Sequence, residues 1–274
     1  RIFLLLDTEA EVQDSQDAVA LPPIKGAIEF KDVFFHYTPE FKGGPEDEGW
    51  ILKNINLKVE PGQTVALVGP TGHGKSTVAN LVARFYDVQK GQVLIDGHNV
   101  KDVTCQSLRA QMGVVLQDNF LFKGTVLDNL KYGNPDCTDE TVVEAAKMLG
   151  AHDVIMQLTD GYQTDVGERG SNLSLGVRQL ICFTRALVAD PALLILDEAT
   201  SAVDPMTEAK LQAALERLIR GRTTVVIAHR LSTIRNANQI LVVQKGRIVE
   251  RGTHEELIDN NGLYATLHRN YTAA

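Results

Sequence analysis

Between Gly69 and Thr77 the chain reads Gly-Pro-Thr-Gly-His-Gly-Lys-Ser-Thr, with the spacing Gly69-x-x-x-x-Gly74-Lys75-Ser76. Glycines this dense let the backbone curl so that successive N–H groups converge on an anion. Lys75 adds a mobile point charge suited to the β- and γ-phosphates of a nucleoside triphosphate, and the Ser76 hydroxyl is a hard ligand for Mg²⁺. Gly69, Pro70, Thr71, Gly72, His73, Gly74, Lys75, Ser76 and Thr77 are therefore the first candidate binding set. Such a cradle needs a strand before it and a helix after it. Thr64-Val65-Ala66-Leu67-Val68 supplies the strand. Val78, Leu81, Val82 and Phe85 then fall at i, i+3, i+4 and i+7, the apolar stripe of a helix whose positive end faces the same anion.

A second candidate set is Leu193-Leu194-Ile195-Leu196-Asp197-Glu198. An apolar run closed by two carboxylates places charge at the carboxyl edge of a sheet, where α/β ligands bind. Asp197 is the candidate Mg²⁺ ligand and Glu198 the candidate general base for an attacking water. Read without the glycine loop, the pair is equally a solvated acidic step after a strand.

The elements that must position these residues alternate in type. Strands are expected at Ile28–Val33, Ile55–Val59, Val93–Ile95, Gly113–Leu116, Thr223–Ala228 and Ile240–Val243, with a buried parallel strand at Leu193–Leu196. Leu211, Ala214, Leu215 and Leu218 mark a helix, and residues 125–189 are mostly helical in pattern, with turns at Asn134-Pro135 and Asp160-Gly161. Residues 39–49 read as a surface loop. Ordered structure is expected to start near Ile28, after an acidic solvated linker over residues 8–17. Alternating strands and helices give an α/β class with a parallel-sheet core and an inserted helical region.

The 274 residues are 44% hydrophobic and 23% charged, an ordinary globular composition. With 27 basic and 35 acidic side chains the net charge is −8, and the broad basic footprint of a nucleic-acid binder is missing. Cys105, Cys137 and Cys182 form no CxxC pair and read as free thiols. No apolar run approaches the ~18 residues of a membrane helix. Ile2-Phe3-Leu4-Leu5-Leu6 is too short and is closed by Asp7.

Five separated motifs together resemble the ATP-binding-cassette (ABC) ATPases in order and spacing. They are Gly69–Thr77, Gln117, Leu173-Ser174-Leu175-Gly176-Val177-Arg178-Gln179, Asp197-Glu198-Ala199-Thr200-Ser201 and His229. The resemblance covers residues 28–267 and is greatest to exporter nucleotide-binding domains. It implies a P-loop NTPase (RecA-like) parallel-sheet core with an antiparallel β subdomain and a helical subdomain over about 118–188. Residues 1–27 would be the linker from a preceding membrane domain, and 268–274 a C-terminal tail. ATP and Mg²⁺ would be bound at the cytoplasmic face of a membrane, and hydrolysis would drive export.

The resemblance also assigns roles. Tyr37 matches the aromatic that stacks on adenine, although alone it reads as a core strand residue. Gln117 matches the glutamine that contacts Mg²⁺ and water and couples to the membrane domain; Ser76, Gln117 and Asp197 would form the metal set. His229 matches the switch histidine at the γ-phosphate, which joins Glu198, Lys75 and Gln117 as catalytic. Asp204 matches the loop that crosses a dimer interface. Ser174 and Gly176 would face the nucleotide of a second cassette, so the expected partner is another such domain, identical or different. Ser174 is also a plausible helix N-cap.

Two positions depart from the family pattern. Leu175 and Val177 stand where the usual signature has Gly and Gln, which weakens the face lent to a partner. His73 occupies a loop position that is usually small, and its side chain could turn to solvent or to the partner. Two other readings stay open: an ATP-binding half that contributes a degenerate site in a heterodimer, and a soluble ABC ATPase with no membrane partner.

Overall fold

The computed structural model describes residues 10–38, 41, 43–44, 49–198, 204–228 and 230–273. The expectations for residues 1–7, for the first two residues of the 8–17 linker, for most of the 39–49 loop, for Ala199-Thr200-Ser201 and for His229 fall outside these.

Among the described residues ten strands build two sheets. In chain order they are β1 (Ile28–Phe35), β2 (Leu52–Val59), β3 (Thr64–Val68), β4 (Lys90–Ile95), β5 (His98–Asn99), β6 (Met112–Val115), β7 (Leu193–Asp197), β8 (Thr223–Ile227), β9 (Gln239–Gln244) and β10 (Arg247–Gly252). An antiparallel sheet runs β2-β1-β4-β5. The larger sheet runs β10-β9-β3-β8-β7-β6, parallel throughout except for β10 against β9. Among the described residues the α-helices are α1 (Lys75–Val82), α2 (Cys105–Arg109), α3 (Val126–Lys131), α4 (Asp139–Leu149), α5 (His152–Met156), α6 (Leu175–Val188), α7 (Pro205–Ile219), α8 (Leu231–Arg235), α9 (His254–Asp259) and α10 (Leu263–Ala273).

The parallel strands are apolar on both faces because each face meets a separate core. Val65 and Leu67 of β3 join the core shared with α1 and the antiparallel sheet. Ala66 and Val68 join the core formed with α4, α6 and α7. The same alternation holds in β7, with Leu193 and Ile195 on one side and Leu194 and Leu196 on the other. A strand buried on both sides cannot show a polar alternation.

Four expectations are corrected. The helix after the glycine loop ends at Val82, so Phe85 lies beyond it, 39% exposed, with the Arg109 guanidinium 5.3 Å over its ring. Within 125–189, residues 157–174 form no α-helix; turns and two short 3-10 segments fill the span. Helix α10 runs to Ala273, through the stretch expected to be a tail.

The fourth correction concerns where ordered contacts begin. Gln13 and Asp14 already accept hydrogen bonds from Arg84, and Asp14 also accepts from the Cys105 N–H. The Leu21 N–H donates to Ser107 Oγ and that of Ile24 to Gln111 Oε1. The segment from Gln13 to Ala27 is thus a strap docked along α2 and the β4–β5 turn, where Asp96 takes the Gly26 and Ala27 N–H groups.

Candidate functional site

The loop between β3 and α1 has the backbone that its glycines require. Gly69 has φ +142°, and a Cβ there would stand 2.1 Å from the Val243 carbonyl oxygen of β9. Gly74, at φ +103°, caps α1 in the left-handed region and lies against Leu52. Only glycine tolerates both the conformation and the close approach. Lys75 is buried, and its Nζ donates to the Gly69 carbonyl at 2.8 Å and the Pro70 carbonyl at 2.9 Å, drawing the loop around the ammonium. Burial pulls the Lys75 pKa below its ordinary value, partly opposed by the Asp197 carboxylate.

His73 turns neither to solvent alone nor away from the domain. Its Nδ1 accepts from the Lys245 N–H at 3.4 Å, and its carbonyl accepts from the Gly246 N–H at 3.2 Å. The β9–β10 turn therefore braces the phosphate loop from behind.

A cleft of about 440 Å³ opens over this loop. Tyr37, Thr71, Gly72, Gly74, Lys75, Ser76, Thr77, Gln117 and Asp197 all line it. They come from four places: the residues after β1, the glycine loop with the first turn of α1, the residues after β6, and the end of β7. Tyr37 lies past the end of β1 and is 42% exposed, so its reading as a core strand residue is overturned. Its hydroxyl bonds Thr77 Oγ1 at 2.9 Å, while Phe35 and Tyr86 hold the ring edge-on at 5.0 Å each. A fixed ring at the mouth of a phosphate cleft offers an apolar face to a base.

The Ser76 hydroxyl, the Gln117 amide and the Asp197 carboxylate form an all-oxygen donor set at one cleft, the chemistry that a hard divalent cation takes. Glu198 is 5% exposed and is not among the described residues lining the cleft.

Ser174 and Gly176 stand apart from the cleft as well. Ser174 is exposed and caps α6, accepting from the Val177 N–H at 3.4 Å. Gly176 is buried against Thr207, and Val177 packs half-buried on the larger core. Asp204 caps α7 by accepting from the Thr207 N–H at 3.0 Å, and hydrogen bonds from the Thr207 side chain and then its N–H hold the carboxyl below the usual range.

Sequence reasoning missed a second cleft of about 370 Å³ beside Gln117. Leu116, Phe120, Phe122 and Tyr132 expose apolar surface there. At its base Arg185 packs over the Phe122 and Tyr132 rings and donates to Asn129 and to the Phe120 carbonyl. The apolar run Phe120-Leu121-Phe122 was the available signal. It marks nothing by itself, because Leu121 is core.

Comparisons with known proteins identify the family. A family model described as ABC transporter matches residues 52–201. The ATP-dependent lipid A-core flippase of Syntrophus aciditrophicus is 48% identical over 98% of this chain and 43% of its own length. A putative multidrug export ATP-binding/permease protein of Staphylococcus aureus is 50% identical over 97% of this chain and 45% of its own. The structure of a bacterial Atm1-family ABC exporter with ATP bound superposes with a TM-score of 0.89 at 41% identity, covering all of this chain and 46% of that one. The chain therefore spans less than half the length of these relatives. Among the described residues no helix is long and apolar enough to cross a membrane. By its motifs, its fold and these matches, the chain belongs to the ABC transporter family, as an exporter-type ATP-binding domain with the family's ATPase fold.

Proposed function

We propose that this domain is the motor of a membrane exporter and hydrolyses ATP at an interface between two such domains. The observation that carries the reading is the split of the motif residues. Tyr37, Lys75, Ser76, Thr77, Gln117 and Asp197 share one cleft, whereas Ser174 stands exposed on α6 outside it. A nucleotide bound at one cleft would be covered by Ser174 and the Gly176 backbone of a second domain.

In this reading Tyr37 packs on the adenine, the glycine-loop N–H groups and Lys75 hold the phosphates, and Ser76, Gln117 and Asp197 hold Mg²⁺. The cation, when bound, would neutralise phosphate charge. Glu198 polarises the attacking water and His229 contacts the γ-phosphate. The apolar cleft around Leu116, Phe120 and Phe122 docks the membrane portion of the exporter, next to Gln117. The relatives' additional length and the ATP-binding/permease name of one of them support that partner.

ATPase assays of the chain test the catalytic reading, with and without Glu198→Gln. The substitution is expected to abolish turnover and leave ATP binding intact. Full turnover by the variant would remove Glu198 as the base. Reconstitution with the membrane portion, followed by Phe120→Asp, tests the docking: coupling of ATPase to transport should fail while the isolated domain still hydrolyses ATP.

A further inference from the structure

Glu198 follows Asp197 at the end of β7, yet its carboxylate is engaged away from the cleft that Asp197 lines. Its Oε1 accepts from the Thr233 hydroxyl at 2.7 Å, and its Oε2 accepts from the Arg230 N–H at 3.2 Å. Its own N–H donates to the Ile227 carbonyl at 3.1 Å. Thr233 is 5% exposed, so water does not readily replace its hydroxyl. Arg230 is held in turn, its Nε 3.2 Å from a Glu208 carboxylate oxygen on α7. The end of β7, the start of α8 and the helix capped by Asp204 are thereby joined through the candidate base.

We propose that Thr233 is a positioning residue for Glu198: its hydroxyl, with the Arg230 N–H, holds the carboxylate off the phosphate cleft, and hydrolysis requires that hold to be released. The inference rests on the reading of Glu198 as general base. A base must come within hydrogen-bond reach of the water it polarises. A buried hydroxyl bonded to a carboxylate oxygen therefore opposes the working orientation by the strength of that bond. Thr233 acts through Glu198 and does not line the nucleotide cleft.

The test measures kcat and KM for ATP separately on the full chain. Thr233→Val keeps the shape and removes the donor. It is expected to raise kcat about threefold to tenfold, the factor of a single hydrogen bond, with KM unchanged. Thr233→Ser restores the hydroxyl and should return kcat to that of the parent chain. Thr233→Val combined with Glu198→Gln should be inactive. A kcat for Thr233→Val equal to or below the parent's, or Thr233→Ser behaving as Thr233→Val, overturns the proposal. Should the valine variant fail to fold, Thr233→Ala carries the same expectation and the same refutation. If Glu198→Gln alone keeps full turnover, the assignment of the base has failed. If Glu198→Gln is inactive while Thr233→Val is no faster, only the hold has failed.

Discussion

Thr207 Cγ2 occupies the space a side chain on Gly176 would need, 2.3 Å from the ideal Cβ position. Gly176 sits in the first turn of α6 and Thr207 in the first turn of α7, which Asp204 caps through the Thr207 N–H. Gly176 is therefore fixed by packing inside its own domain, whatever its backbone offers to a partner's nucleotide. The helix that carries Ser174 and the helix that follows the 199–203 segment interlock at this point.

Gly176→Ala should consequently destabilise the chain by about 1–3 kcal/mol through overpacking. Thr207→Ser deletes the offending methyl and keeps the backbone cap. The double substitution should recover most of the loss, so thermal unfolding of the four proteins should show a coupling well outside additivity. Additive effects would mean that the two helix starts do not press on each other.

Tyr37 provides a separate check on the base-binding end of the cleft. Tyr37→Ala should weaken ATP binding about threefold to tenfold, the range for loss of one aromatic contact. Binding of inorganic triphosphate should not change. Tyr37→Phe keeps the ring and should keep the ATP affinity, while losing the bond to Thr77 Oγ1. Calorimetric titration with both ligands separates the cases. Equal weakening for ATP and triphosphate would point to a loop disturbed through Thr77.

The phosphate loop, β3 and β7 were legible in sequence because their requirements are local. A glycine loop needs its own glycines, and a strand buried on both faces is apolar at nearly every position, as Val65, Ala66, Leu67 and Val68 of β3 are. What the sequence hid depends on distant partners. Phe85 fits the helical stripe, but the chain leaves the helix at Arg84, which takes φ +49°. Its guanidinium is committed to Asp87, Asp14 and the Val103 carbonyl. The acidic residues before Ile28 read as solvated, because the cation that binds Asp14 lies 70 positions downstream. The side-chain direction of Glu198 was equally unreadable, since Thr233 follows 35 residues later.

Arg84 yields a prediction from that long-range contact. Its side chain is 1% exposed, and it binds Asp14 at 3.2 Å, Asp87 at 3.2 Å and the Val103 carbonyl at 2.7 Å. Arg84→Met removes the donors and keeps an apolar stem. The carboxylates left behind are partly exposed, so the expected cost is about 1–3 kcal/mol rather than that of a fully buried orphan charge. Because Gln13 and Asp14 lose the guanidinium, and Asp14 keeps the Cys105 N–H, the strap should become the first site of limited proteolysis. An unchanged cleavage pattern would show that Leu21, Ile24 and Ala27 hold it without Arg84.

The C-terminal pair α9 and α10 should lose stability at both ends of the pH scale. Tyr264 of α10 is 2% exposed, and its hydroxyl bonds His254 Nδ1 at 2.7 Å. Burial pushes the Tyr264 phenol up to about 12 from an ordinary 10. The folded state thus prefers the neutral phenol, and that stability is complete below pH 10 and lost as pH rises toward 12. Burial moves His254 the other way, below its ordinary 6.5, helped by the charges of His268 and Arg235 and opposed by Glu255. Its contribution is complete above about pH 6.5 and is lost as pH falls through the folded value, where the half-buried imidazole must take up a charge. Amide exchange of α10 followed against pH should show both losses. Tyr264→Phe should abolish the alkaline one and leave most of the acid one, because burial of the imidazole persists. An alkaline loss undiminished in Tyr264→Phe would assign it to another group.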